Sequence, residues 1–277
     1  MEVNNCELYV EQYGVENEKS IVFIHGAPGL GDSRADKNAF LSLSDTYRLV
    51  FVDMRGSGRS EERPPYSHEQ WTSDIEELRK KLNLGKIVVH GGSYGGFLVM
   101  EYAIRYPENV SRVLLRDTAA NNNYSDIYKK TALEANLPDV SEDLLNRLFD
   151  GEVTSNEELK DMFYAILPLY TVEYDPEKGK SRVDDIFYHY ETHNYAFNTN
   201  QKEYNITKQI QELSIPFLIS VGRHDWITPV EASEEIARNV KNHKLVIYEN
   251  SGHSPHAEEN EAYLKEVQEF LGKESQS

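Results

Sequence analysis

Three residues in this chain have types and settings suited to acyl transfer: Ser93, Asp225 and His253. Ser93 stands in Gly91-Gly92-Ser93-Tyr94-Gly95, between the apolar run "KIVVH" and an apolar segment that ends at Pro107. A bare G-x-S-x-G pattern arises by chance in about one chain in ten of this length, so its context decides its weight. Here it joins a strand-like run to a helix-like run. That is the setting in which a sharp turn presents a serine hydroxyl and leaves room only for glycine two residues before and after it. The helix that follows would point the positive end of its dipole at a developing negative charge. A serine alcohol needs a base to take its proton, and a histidine in that role needs an acid to orient it. "VGRHDWITP" puts Asp225 just past an apolar run, with Trp226 and Pro229 stiffening the loop. "YENSGHSPH" puts His253 just past another, in a glycine loop. The chain order Ser, Asp, His is the order this kind of turn carries.

Alternatives stand nearby. Asp117 in "LLRDTAA" also follows an apolar run and is the alternative acid, and His256 is the alternative base. His224 reads as a loop residue, and His90, inside a run, as a structural histidine with its hydrogen bonds satisfied. In "DMRGSGRS", Arg55 and Arg59 read as loop structure rather than chemistry. A tetrahedral oxyanion needs donors. The backbone N–H of Tyr94, directly after the serine, supplies one. The loop His25-Gly26-Ala27-Pro28-Gly29 supplies another, assigned to Ala27 because Pro28 has no N–H. No metal or cofactor is expected. His253 and His256 are spaced i, i+3 without a third ligand at suitable spacing, and no G-x-G-x-x-G follows the first run.

These residues need a frame. Six short apolar segments lie at 20–25, 47–53, 86–90, 112–117, 216–222 and 244–250. Most lack polar alternation, as strands of a parallel sheet buried on both faces do. Helical patterns lie between them. Trp71, Ile75, Leu78 and Leu82 mark a helix over 68–84, with Ser67 as its cap and Gln70 as capping-box partner. Leu264, Val267, Phe270 and Leu271 mark a final helix over 257–271, and the tail "GKESQS" reads as frayed. Strand and helix in alternation predict a doubly wound, mostly parallel α/β sheet. The alternation stops between 121 and 210, a stretch that is acidic, aromatic and helical in composition. The expected organisation is therefore a core of 1–120 and 211–277 with a helical cap of 121–210.

The 277 residues suffice for a large core. Twenty-nine basic residues against 47 acidic ones give a net charge of −18. That balance argues against nucleic acid, whose phosphates call for a basic face, and against anionic membranes. The single cysteine, Cys6, rules out an intrachain disulfide. The N-terminus "MEVNNCELYVEQYG" lacks the charged start and apolar run of a signal peptide, so a cytoplasmic location is expected.

In this order, "HGAPG", "DMRGSGRS", "GGSYGG", "GRHDWITP" and "SGHSPH" resemble the α/β-hydrolase superfamily, and more narrowly the proline iminopeptidase group of serine peptidases. The resemblance covers about 20–120 and 212–270. It implies an aminopeptidase that releases N-terminal proline or another residue from short peptides. The alternative is an esterase, lactonase or carbon–carbon bond hydrolase acting on a small acyl compound. Ala27 and Tyr94 depart from the group, which has glycine and tryptophan there. In the cap, "DDIFYHYETHNYAFNT" is similar to a segment whose glutamate binds the substrate amine, which implies that role for Glu191; Glu203 and Glu212 are weaker candidates.

Overall fold

A computed structural model of the protein describes residues 1–272; the tail beyond it lies outside the described residues. The central sheet has seven strands. They are β3 (Val10–Tyr13), β4 (Ser20–Ile24), β5 (Arg48–Val52), β6 (Ile87–Gly92), β7 (Val110–Arg116), β8 (Phe217–Gly222) and β9 (His243–Tyr248), after a small pair of β1 (Glu2–Val3) and β2 (Cys6–Glu7). The order across the sheet is β3-β5-β4-β6-β7-β8-β9, parallel except for β3, which runs antiparallel to β5. All six apolar runs are strands. The edge strand β3, "VEQY", is short and polar and carries no apolar signal in the sequence.

The chain goes outward from β4 to β5 and then returns to the other side of β4 to form β6. That reversal opens a crevice at the carboxyl ends of β4 and β6, where open α/β sheets bind ligands. The turn after β4 is the His25–Gly29 loop, and the turn after β6 holds Ser93. The sheet positions two of the predicted site segments side by side for that topological reason.

Alternating side chains feed two cores. Ile21 and Phe23 pack on one face of the sheet with Phe40, Phe51 and Tyr263; Val22 and Ile24 pack on the other with Trp71 and Leu98. Helix α1 (Arg34–Phe40) follows the β4 turn, α2 (His68–Lys81) precedes β6 and α3 (Tyr94–Arg105) follows it. Ser67 caps α2, its hydroxyl accepting from Gln70 N, while the Gln70 side-chain amide donates to Asp74. Between β7 and β8 lie α4 (Ser125–Glu134), α5 (Glu142–Phe149), α6 (Asn156–Ile166), α7 (Pro176–Asp184) and α8 (Tyr190–Tyr195). After β8 comes α9 (Val230–Asn239). The final helical pattern is two helices, α10 (Pro255–Glu258) and α11 (Asn260–Gly272). Among the described residues no helix is long and apolar enough to cross a membrane.

Burial sets an acid sensitivity. His90 and His256 are held well below the ordinary imidazole value, and His193 is lowered to about 4, each chiefly by burial. The unfolded chain therefore takes up protons on these histidines before the folded chain does. Their contribution is complete above the unfolded value of about 6.5 and is lost as pH falls, at up to about 1.4 kcal/mol per pH unit for each. Glu11, lowered to about 2 with its carboxylate bonded to Lys37, Tyr13 and Tyr9, adds to the loss at lower pH. Asp36 and Asp117, both raised by burial, act in the opposite sense and offset part of the slope. Thermal denaturation followed by circular dichroism is expected to give a lower midpoint at pH 5 than at pH 7. An equal or higher midpoint at pH 5 would contradict the neutral burial of the three histidines.

Candidate active site

Ser93 sits at φ +52°, ψ −124°, between β6 and the first turn of α3. A left-handed φ is strained for a residue with a Cβ, and such strain persists only where the surroundings over-determine it. Here the Ser93 N–H donates to Arg116 O (2.8 Å), and Ser93 O accepts from Gly96 N (2.9 Å) and Thr118 Oγ1 (2.8 Å). The flanking glycines answer to backbone. A Cβ on Gly91 would overlap the Gly95 carbonyl, and one on Gly95 would overlap the Ile24 carbonyl at the end of β4. The turn is therefore clamped against the neighbouring strand as well as against itself.

Asp225 follows β8 and His253 follows β9, so both stand at the edge that carries Ser93. The Asp225 side chain is fully buried, and its two oxygens each lie 2.9 Å from His253 Nδ1. The same carboxylate accepts from Ile227 N (2.9 Å), Thr228 N (3.1 Å) and Thr228 Oγ1 (2.7 Å). An acceptor-only carboxylate fixes the proton on Nδ1, which leaves Nε2 with its lone pair free. The Tyr170 ring packs edge-on to the imidazole at 5.4 Å, and Tyr170 O accepts from His253 N (2.9 Å). The structure thus brings Asp225 and His253 together. His256 is buried elsewhere, against Phe40 and Tyr263, and His224 is exposed.

The β4 turn lies against the serine: a Cβ on Gly26 would stand 3.1 Å from Ser93 Cβ. Ala27 has φ +42°, and its carbonyl accepts from Leu30 N (2.9 Å) and Gly31 N (2.7 Å). The glycine that the peptidase group carries there suits that backbone without strain. Ala27, Ser93 and Tyr94 share the wall of one cavity. Apolar and aromatic side chains from both sides of the 121–210 segment close it, among them Phe97, Phe149, Tyr170 and Phe197.

Glu191 does not reach this cavity. It is exposed on α8, with Tyr190 OH 3.4 Å from its carboxylate. His193, Phe197 and Gln201, spaced i, i+4, i+8, take the face that lines the cavity, and a residue two positions from His193 lies on the far side of the helix. Glu203 and Glu212 are also exposed, and no carboxylate is among the cavity's described lining residues. His90 departs from expectation as well. It is buried against Phe23 and Phe40, and neither ring nitrogen has a hydrogen-bond partner among the described residues. Arg55 and Arg59 are held by Asp74 and Asp53, as loop structure.

Two groups escaped the sequence reading. Arg116, at the end of β7, lies under the turn. Its guanidinium packs on Gly92, Nη1 donates to His253 O (3.4 Å), and Nη2 donates to Asp36 (3.5 Å). A charged residue closing the apolar run "VLL" at the end of β7 was the available signal. The second is the grouping of Asp117, Asp225 and His253, in which one carboxylate oxygen of each aspartate and one ring nitrogen of the histidine lie within 4.8 Å of one another. A spacing search around His253 and His256 cannot find it, because its members come from three strand ends. The Asp225 oxygens already accept four donors, which leaves that carboxylate little capacity to hold a cation.

Comparison with known proteins agrees with this architecture. Over 99% of both chains, the sequence is 31% identical to a protein of Pestalotiopsis fici named proline iminopeptidase PfmaB. It is 28% identical to a proline iminopeptidase of Saccharolobus solfataricus, over 95% of this chain and 88% of that one. A solved structure of a thermophilic esterase from Thermogutta terrifontis, with malate bound, superposes with a TM-score of 0.77 at 26% identity, over 96% of this chain and 93% of that one. Residues 19–260 match the family model described as alpha/beta hydrolase fold. The chain is a hydrolase of the α/β-hydrolase fold family, and its sequence resembles the proline iminopeptidases.

Proposed function

We propose that the protein is a serine hydrolase of small substrates. Ser93 attacks the substrate carbonyl, and its proton passes to His253 Nε2. Asp225 holds the imidazole in the required tautomer and supports the imidazolium. The backbone N–H groups of Ala27 and Tyr94 receive the oxyanion. The imidazolium then protonates the leaving group, and water repeats the cycle on the acyl-enzyme. The observation that carries this reading is the Asp225–His253 pair, a fully buried carboxylate at 2.9 Å from Nδ1. It stands at the same sheet edge as a strained serine that opens a helix. Residues 121–210 act as a cap over that edge, and the rest of the chain forms the core. The reading uses no metal and no cofactor.

Two substrate classes have separate support. The absence of a carboxylate among the cavity's described lining residues favours an uncharged acyl compound, cleaved by an esterase, lactonase or carbon–carbon bond hydrolase. A charged amine would lose its hydration in this cavity without a charged partner. The geometry supports this class best. The names of the relatives favour the other class, an aminopeptidase that releases proline or another N-terminal residue. A panel of prolyl and other aminoacyl arylamides beside p-nitrophenyl esters of short acids separates them. Turnover of the esters with little or none of the arylamides is the expected result; preference for prolyl arylamide would establish the peptidase class. Glu191→Gln is expected to stay within about twofold of wild type on either class, as for a solvated surface residue. A loss confined to aminoacyl substrates would return Glu191 to the site.

A further inference from the structure

Asp117 is the buried carboxylate that the proposed mechanism leaves without a task. It stands at the end of β7 at φ +48°, its N–H donating to Ser220 O (2.9 Å). Its Oδ1 accepts from Gly222 N (3.0 Å), and the Gly222 carbonyl in turn accepts from Asp225 N (3.2 Å). Its Oδ2 is buried and accepts no hydrogen bond from any described residue; Arg116 Nη1 stands 3.6 Å away. Both the side chain and its neighbourhood are closed to water: Asp117 and the Asp225 side chain are 0% exposed. A carboxylate oxygen without a donor in such a place is costly unless something nearby uses its charge.

What lies nearby is the imidazole. Asp117, Asp225 and His253 form a group in which one carboxylate oxygen of each aspartate and one ring nitrogen of the histidine lie within 4.8 Å of one another. The other charged or titratable groups that face Asp117 are Arg116 from its own strand and Tyr263 from α11. We propose that Asp117 is a second acidic partner of His253, which shares with Asp225 the stabilisation of the imidazolium formed when Ser93 reacts. It acts through His253 and touches no substrate, so it is a positioning residue. The step balances without a new proton site. The Ser93 Oγ–H bond breaks as Oγ bonds the acyl carbon, the proton moves to Nε2, and the positive charge is met by two carboxylates instead of one.

Burial first, and Asp225 second, push the Asp117 carboxyl up to about 7, so its charge is present above neutrality and fades below it. That direction gives the proposal a signature that packing alone lacks. The Ser93 and His253 roles above are assumed, and the test must fail separately from them. It follows the rate at which a fluorophosphonate probe labels the full-length protein, read by the mass of the Ser93 peptide. Labelling of wild type that is absent in Ser93→Ala verifies the serine reading by itself; an unlabelled wild type would overturn that reading.

With wild type labelled, Asp117→Asn is expected to slow labelling by about three- to tenfold. The loss should be largest above neutrality, where the Asp117 charge is present, and should shrink as pH falls and wild type loses that charge as well. Asparagine tolerates left-handed backbone, so the fold should survive. Asp117→Gly serves as the second variant, with melting curves run for both. Two results would overturn the proposal: folded Asp117→Asn labelled as fast as wild type at every pH, or a loss that stays the same from acid to alkaline pH.

Discussion

Replacing Ser93 by alanine is expected to abolish turnover while leaving the fold and its melting temperature close to wild type. The nucleophile, the base and the acid act as a unit, and loss of the nucleophile from such a unit costs about 10⁴- to 10⁶-fold in kcat. Stability should barely change, because what fixes this turn is backbone. Ser93 N–H reaches Arg116 O, and Ser93 O is held by Gly96 N and Thr118 Oγ1, none of which involves the hydroxyl. Alanine keeps the Cβ that already tolerates φ +52°. The measurement is kcat on whichever panel substrate wild type turns over best, with protein purified free of host esterases. Retention of a tenth of wild-type activity would place the nucleophile elsewhere.

Legibility in the sequence followed the strength of local constraints. The six parallel strands could be read because burial on both faces writes a continuous apolar run. Strand β3 could not, because an antiparallel edge strand such as "VEQY" needs neither apolar continuity nor alternation. Gly91 and Gly95 could be read as a pair because a backbone clash allows no other residue, and the clash is local to the turn. That Asp225 and His253 meet at one sheet edge could be read because each follows a visible strand. Glu191 lies off the cavity wall for a helical reason: a sequence stretch names the residues on a helix but not the rotation of its faces. His193, two positions on, takes the inward face. Arg116 and Asp117 belong to a different class. Their meaning lies in contacts with His253 O after β9, Asp36 on α1 and Gly222 N at the end of β8, which no window of sequence contains.

Asp225→Asn is expected to lower kcat/KM by about 10⁴-fold with an intact fold, the effect of holding the histidine in the wrong tautomer. The hydrogen bonds around this carboxylate say why. Ile227 N and Thr228 N both donate to Oδ1, so in the variant the amide oxygen must take that position; an NH₂ group there would face two donors. The amide nitrogen then occupies the place of Oδ2, beside Thr228 Oγ1 and 2.9 Å from His253 Nδ1. Thr228 adapts by turning its hydroxyl to accept. The imidazole adapts by accepting at Nδ1, which moves its proton to Nε2, and Nε2–H can no longer take the proton of Ser93. The variant therefore keeps its loop, its burial and most of its hydrogen bonds while losing the base. Asp117→Asn leaves the Asp225–His253 bond in place and is expected to cost only about three- to tenfold, so the ranking of the two variants is the decisive comparison. Steady-state kinetics on the same ester, beside melting curves for both proteins, gives that ranking. An Asp225→Asn enzyme within tenfold of wild type, or one more active than Asp117→Asn, would move the orienting acid from the β8 loop to the end of β7.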